Sequence, residues 1–112
     1  MKLTSIKNAA NADNNKWTVT ASNLKMGNGL GVLFGKITHN TDEIPIWGED
    51  IGYFPDFSAA YQIPLLLYAN SGAVHIGVIV NSAGKIKMYN PDLSKFNVKG
   101  REYDFYAIYL VG

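Results

Sequence analysis

The sequence predicts an all-β domain, a small antiparallel β-barrel or sandwich, and three observations carry that expectation. Short runs of β-branched and aromatic residues recur at regular spacing, with Gly, Asn and Pro between them. No segment keeps apolar residues at helical spacing long enough to stand as a helix. The last run, 103–111, is apolar at nearly every position apart from Asp104. One face of such a strand enters the core, and the other asks for cover from neighbouring chain or a second subunit.

Residues 1–16 are polar, with Asn8, Asn11, Asn14 and Asn15 clustered and only Leu3 and Ile6 as sizeable apolar residues. They read as an N-terminal arm or linker that can be deleted without unfolding the β-domain, residues 17–112. Trp17-Thr18-Val19-Thr20 alternates apolar and polar as a half-buried strand does. Leu24-Lys25-Met26 runs into Gly27-Asn28-Gly29, a hairpin signal in which Asn28 and Gly29 are both expected at positive φ. Residues 30–38 form the return strand, where Gly31 and Gly35 share a face with Leu33 and Ile37 and imply close backbone approach or a bulge. Residues 61–68 and 73–80 read as strands joined by Asn70-Ser71-Gly72, with Pro64 marking an edge or a bulge. A further hairpin joins 73–80 to 85–89 through Asn81-Ser82-Ala83-Gly84. Two irregular segments, 39–60 and 90–102, are the places to look for function.

The chain has 112 residues, room for one domain with a modest core, and no cysteine for a disulfide or a thiolate metal site. That composition suits synthesis in a reducing cytoplasm. Ten Lys+Arg face nine Asp+Glu, a net charge of +1. This balance gives no electrostatic reason to expect nucleic acid or an anionic membrane as partner. Apolar runs such as Ile63 to Tyr68 are too short to span a bilayer, and Lys2 and Lys7 are not followed by the apolar stretch of a secretory signal peptide.

Catalytic and metal-binding patterns are weak. Gly27-x-Gly29-x-Gly31 precedes Val32-Leu33-Phe34, a strand rather than the helix a phosphate loop requires. His39 and His75 are the two histidines and show no metal-ligand spacing, and Ser58, Ser71 and Ser82 sit in turn-like settings. No catalytic residue, metal ligand or cofactor is expected. Asp42-Glu43 and Glu49-Asp50 flank Pro45-Ile46-Trp47; as well as solvated loop charges they could be a glycosidase pair or oxygen ligands for a cation. The aromatics Trp17, Trp47, Tyr53, Phe54, Phe57, Tyr61, Tyr68 and Tyr89 are too many for one small core. Those left at the surface can stack on sugar rings or bury at a subunit interface.

One string ties these elements to a known group. Lys25-Met-Gly-Asn-Gly-Leu-Gly-Val-Leu-Phe-Gly-Lys-Ile-Thr38, then Ile51-Gly-Tyr-Phe-Pro-Asp56, Ala73-Val-His-Ile-Gly-Val78 with Ser82-Ala-Gly84, and Tyr106-Ala-Ile-Tyr109 follow one another. In that order they resemble C-terminal domains of Gram-positive phage tail and baseplate proteins. The closest likeness is to the receptor-binding heads of lactococcal phage baseplates. The resemblance covers residues 17–112 and implies a homotrimer of small β-barrels that binds bacterial cell-wall saccharide. It also implies contact with other baseplate or tail proteins and a place in the virion. In those heads a histidine, an acid two residues on and a tryptophan on the next strand line the sugar pocket. His75 matches the histidine, Gly77 stands at the acid position, and Met88 falls at the tryptophan position beside Tyr89.

The expected carbohydrate site is therefore His75, Gly77, Tyr89 and Met88, with Trp47 contributed from the loop. His75 and Gly77 alternate onto one face, where Gly77 leaves room for a ring, and the register of 85–89 decides whether Met88 or Tyr89 meets the ligand. Host adhesion without catalysis is the expected function. A purely structural virion module and a small glycan hydrolase are the alternatives.

Overall fold

In a computed structural model of the chain, alternation of apolar and polar side chains is expressed as strand after strand. The structure describes residues 3–69, 74–80, 83–89, 93–96 and 98–112, with backbone only for 3–7, 74–80, 94 and 95. The strands are β1 (Leu3–Asn8), β2 (Ala10–Asn11), β3 (Trp17–Met26), β4 (Leu30–His39), β5 (Asp50–Tyr53), β6 (Ile63–Ala69), β7 (Val74–Val80), β8 (Lys85–Met88) and β9 (Glu102–Leu110). A 3-10 turn, Leu93–Phe96, precedes β9.

All pairings are antiparallel, in the order β1-β3-β4-β9-β6-β7-β8-β5-β2. β4 is paired along its length to β3 and β9, whereas among the described residues β6 meets β9 only at Tyr68↔Asp104 and Ala69↔Tyr103. The assembly therefore turns a corner there and lies as two antiparallel sheets facing each other. One sheet is β1-β3-β4-β9 and the other β6-β7-β8-β5-β2. Side chains from both inner faces meet in one core: Trp17, Leu33, Ile37, Tyr103 and Phe105 from the first sheet, Ile51, Leu65, Leu67, Ile86 and Met88 from the second. Phe54, Phe57 and Phe96 complete it from the connections.

The glycines of β4 do what their spacing implied. The Tyr109 ring covers Gly31 so closely that a Cβ there would stand inside it. This ring carries its hydroxyl to the buried Oδ1 of Asn23, to which it donates a hydrogen bond. Gly35, at φ 142°, presses against the backbone of Thr20 and Ala21. Pro64 lies in the half of β6 that has no rung to β9, so its missing N–H costs no ladder bond on that side, and the β6–β7 register shifts between Leu65 and Leu66.

Several expectations are corrected. The segment read as an N-terminal arm, residues 1–16, contributes two strands to the sheets. β1 pairs with β3, β2 pairs with β5, and the Asn11 side chain accepts the Val19 N–H at 2.7 Å. Strand pairing is made by backbone groups, so a polar segment can form it where a sheet edge is offered. The sheet does not close into a barrel: its end strands β1 and β2 pair with β3 and β5 and not with each other. In the β3–β4 hairpin Gly29 has φ 83° but Asn28 is not at positive φ. The connection has three residues, Gly27 to Gly29, with glycine at the left-handed position, while Asn28 Oδ1 accepts the Leu30 N–H at 3.2 Å. The segment 39–60, read as irregular, contains β5. The turns at Asn70-Ser71-Gly72 and Asn81-Ser82 lie outside the described residues.

Candidate functional site

The loop between β4 and β5 is built to hold Trp47 in solvent. Glu49 N–H bonds to the Ile46 carbonyl at 3.0 Å, closing a turn with Trp47 and Gly48 at its corner, and Gly48 has φ 79°, a value glycine adopts without strain. Two further backbone bonds lash this turn to the end of β8: Gly48 N–H to the Met88 carbonyl at 2.8 Å and Met88 N–H to the Glu49 carbonyl at 3.0 Å. Pro45 is buried beneath. The Trp47 ring remains 59% exposed and crosses Tyr89 edge to face, centroids 5.2 Å apart.

Glu49 pins the turn from the other side. Its side chain is only 6% exposed. One oxygen accepts the Trp17 indole N–H at 2.7 Å and the other meets Lys16 Nζ at 3.2 Å. Trp17 in turn stacks on His39, centroids 4.3 Å apart, and Thr41 Oγ1 lies 3.4 Å from His39 Nε2. Burial lowers the pKa of His39; Glu49, the Phe96 carbonyl, Asp42 and Glu43 pull the other way. The acidic residues of this loop thus divide: Glu49 is an anchor, Asp50 is paired, and Asp42 and Glu43 are exposed.

From Trp47 the outward face of β5 and β8 continues as a row of functional groups. Lys87 Nζ meets Asp50 Oδ1 at 2.9 Å, and this hydrogen bond raises the Lys87 pKa above the usual lysine value. Beyond it Tyr53 stands opposite Lys85. Asp50 and Tyr53 are three residues apart and should face opposite ways on a regular strand. A register shift between Asp50 and Gly52 lets Ile51 and Gly52 both point inward, so the residues on either side of them both point out. Next to Tyr53 a shallow groove of about 230 Å³ is lined by Asn11, Ala12, Asp13, Asp50, Gly52, Tyr53 and Lys85. Its near wall is the N-terminal segment, held by Asn14 Nδ2 donating to the Asp50 carbonyl at 2.8 Å.

Of the sequence-predicted site residues, Trp47 and Tyr89 are brought together. Met88 is fully buried in the core and drops out as a surface contact, whereas the neighbouring Tyr89 is only half-buried. Gly77 falls at the β6–β7 register shift, between the rungs Leu65↔Val78 and Leu66↔Ile76. His75 is opposite Leu67 in register, and its side chain lies outside the described residues. Tyr53 belonged to the surplus aromatics and Asp50 to the acidic pairs, but Lys85, Lys87 and Asp13 carried no signal of their own. Among the described residues no group of three acidic or histidine side chains could hold a metal ion, and no helix is long and apolar enough to cross a membrane.

A second surface is apolar. On the outer face of β4, β9 and β6, Phe34, Leu66, Tyr68, Tyr106, Ile108 and Leu110 are all exposed, and Tyr68 and Tyr106 stack with their planes 8° apart. No protein-family model matches the sequence, and no curated protein does either.

Proposed function

We propose that this chain is a non-catalytic saccharide-binding module, a host-adhesion head of the phage baseplate or tail type that acts as a homotrimer in the virion. The observation that carries the reading is the exposed Trp47 ring, held on a fixed turn against Tyr89. A sugar ring offers an apolar face to stack and hydroxyls to bond, and an indole already immobilised loses little entropy on binding. Asp50 and Lys87 beside it can accept from and donate to hydroxyls. The order of strands and turns adds the likeness to phage receptor-binding heads.

The apolar outer face of β4, β9 and β6 supports self-association. Its six large residues leave on the order of 500 Å² uncovered, near the upper limit for a monomer and comparable with a sizeable part of one partner's share of a standard interface. Cyclic symmetry would cover it and multiply a weak sugar site into avidity. The same face favours a second reading, a structural virion module whose aromatics serve only subunit contacts.

A glycan-binding screen run beside native mass measurement tests both. Binding that Trp47→Ala abolishes while the melting temperature holds supports adhesion. A trimer that binds no saccharide supports the structural module, turnover of a glycan supports a hydrolase, and a monomer at micromolar concentration refutes the trimer. In a trimer, Ile108→Asp should yield folded monomers, because Ile108 is 70% exposed in the single chain and lies outside the core.

A further inference from the structure

We infer that the outward face of β5 and β8 is one extended track for an uncharged oligosaccharide of about three rings, with its far end at Tyr53 rather than at the Trp47–Tyr89 pair. The inference rests on the saccharide reading above and adds the length and chemical class of the ligand.

Three rows of side chains stand along the track. Tyr89 with Trp47 forms the first, Lys87 with Asp50 the second, and Lys85 with Tyr53 the third. Outward residues of one strand repeat every second position, so neighbouring rows are about 7 Å apart and the two aromatic ends about 13 Å apart. That span exceeds one sugar ring and fits two or three linked rings. The aromatic ends supply stacking faces, and the ion pair between them offers donors and acceptors for the hydroxyls of a central ring.

Two features argue that the third row is a binding position. Tyr53 is 45% exposed although it lies within a strand paired on both sides, to β8 and to β2. The groove of about 230 Å³ opens beside it, with polar walls from Asn11, Asp13 and Asp50. The register shift in β5 is what turns Tyr53 outward; a regular strand would send it into the core. Charge sets the class of ligand: Lys85 and Lys87 are balanced by Asp13 and Asp50, which gives a phosphate-bearing polymer no net attraction.

Titration calorimetry on the full chain tests this with linear oligomers of glucose, galactose, rhamnose and N-acetylglucosamine, one to five rings long. Affinity should rise to about the third ring and then level, and should change little between low and physiological salt. Tyr53→Ala should weaken trisaccharide binding about tenfold and leave monosaccharide binding intact, with Tyr53→Phe restoring the trisaccharide affinity. Trp47→Ala should weaken both. Equal affinity for one and three rings, a Tyr53→Ala protein that folds and binds as the parent does, or strong salt dependence would overturn the extended track while leaving the saccharide reading in place. Failure of every oligomer to bind would remove both readings.

Discussion

Replacing Glu49 with alanine tests whether the Trp47 turn is held by the buried carboxylate. The substitution removes the acceptor of the Trp17 indole N–H, which is 2.7 Å away and belongs to a ring that is almost wholly buried. A buried donor left without an acceptor costs about 1–3 kcal/mol, toward the upper end when the lost partner was charged. The Lys16 pair adds little, because Lys16 is a third exposed and solvent screens it. The expected loss is about 2–3 kcal/mol. For a domain of this length each kcal/mol lowers the melting temperature by about 4 °C, so Glu49→Ala should melt about 8–12 °C below the parent. Glu49→Gln keeps a carbonyl oxygen for the indole and forfeits only the ion pair, so its melting temperature should fall by less than half as much. Differential scanning calorimetry of the three proteins reads this directly. Near-ultraviolet circular dichroism should also report loosened tryptophan packing in the alanine variant alone. A Glu49→Ala protein melting within about 2 °C of the parent, or a glutamine variant as unstable as the alanine variant, would refute the indole bond as the anchor.

Other substitutions separate the kinds of constraint in the sheet. Gly31→Ala should cost about 2–3 kcal/mol by thermal melt, because its methyl must displace the Tyr109 ring and strain that ring's bond to Asn23. Gly29→Ala should cost only about 1 kcal/mol, since the space around it is open and backbone strain at φ 83° is the sole penalty; Asn28→Ala should cost less, giving up one exposed bond to Leu30. Burial holds the pKa of His39 below its unfolded value of 6.5, so the unfolded chain binds the extra proton first as pH falls. Its contribution is therefore fully present above about pH 6.5 and is lost as pH falls from there toward the folded value, by at most about 1.4 kcal/mol per pH unit. His39→Gln should flatten that part of the acid limb in melts taken between pH 7.5 and 5.5, and an unchanged slope would mean that His39 does not drive it.

The sequence by itself determined the all-β class, the strand positions from residue 17 onward except β5, and the two-faced character of β9. Each follows from alternation or from residue type within a few neighbours, and this local signal survives folding because it states which side of a strand can meet water. It also reserved Gly31 and Gly35 for close approach, and it pointed to the Trp47 loop. The N-terminal strands escaped because their pairing is made by backbone groups, to which side-chain polarity is indifferent; β1 and β2 needed the edges of β3 and β5 to exist first. Glu49 and Asp50 are adjacent acids with opposite fates, one sealed against Trp17 and Lys16 and the other bonded to Lys87 in solvent, and only three-dimensional neighbours distinguish them. The same holds for Met88 and Tyr89, neighbours of which one is sealed in the core and the other lies against Trp47. Tyr53 is turned to the surface by a shift of one residue in pairing that no local pattern announces. Register, and pairing between strands that no short turn connects, are properties of two strands at once, so they were decided by the tertiary structure alone.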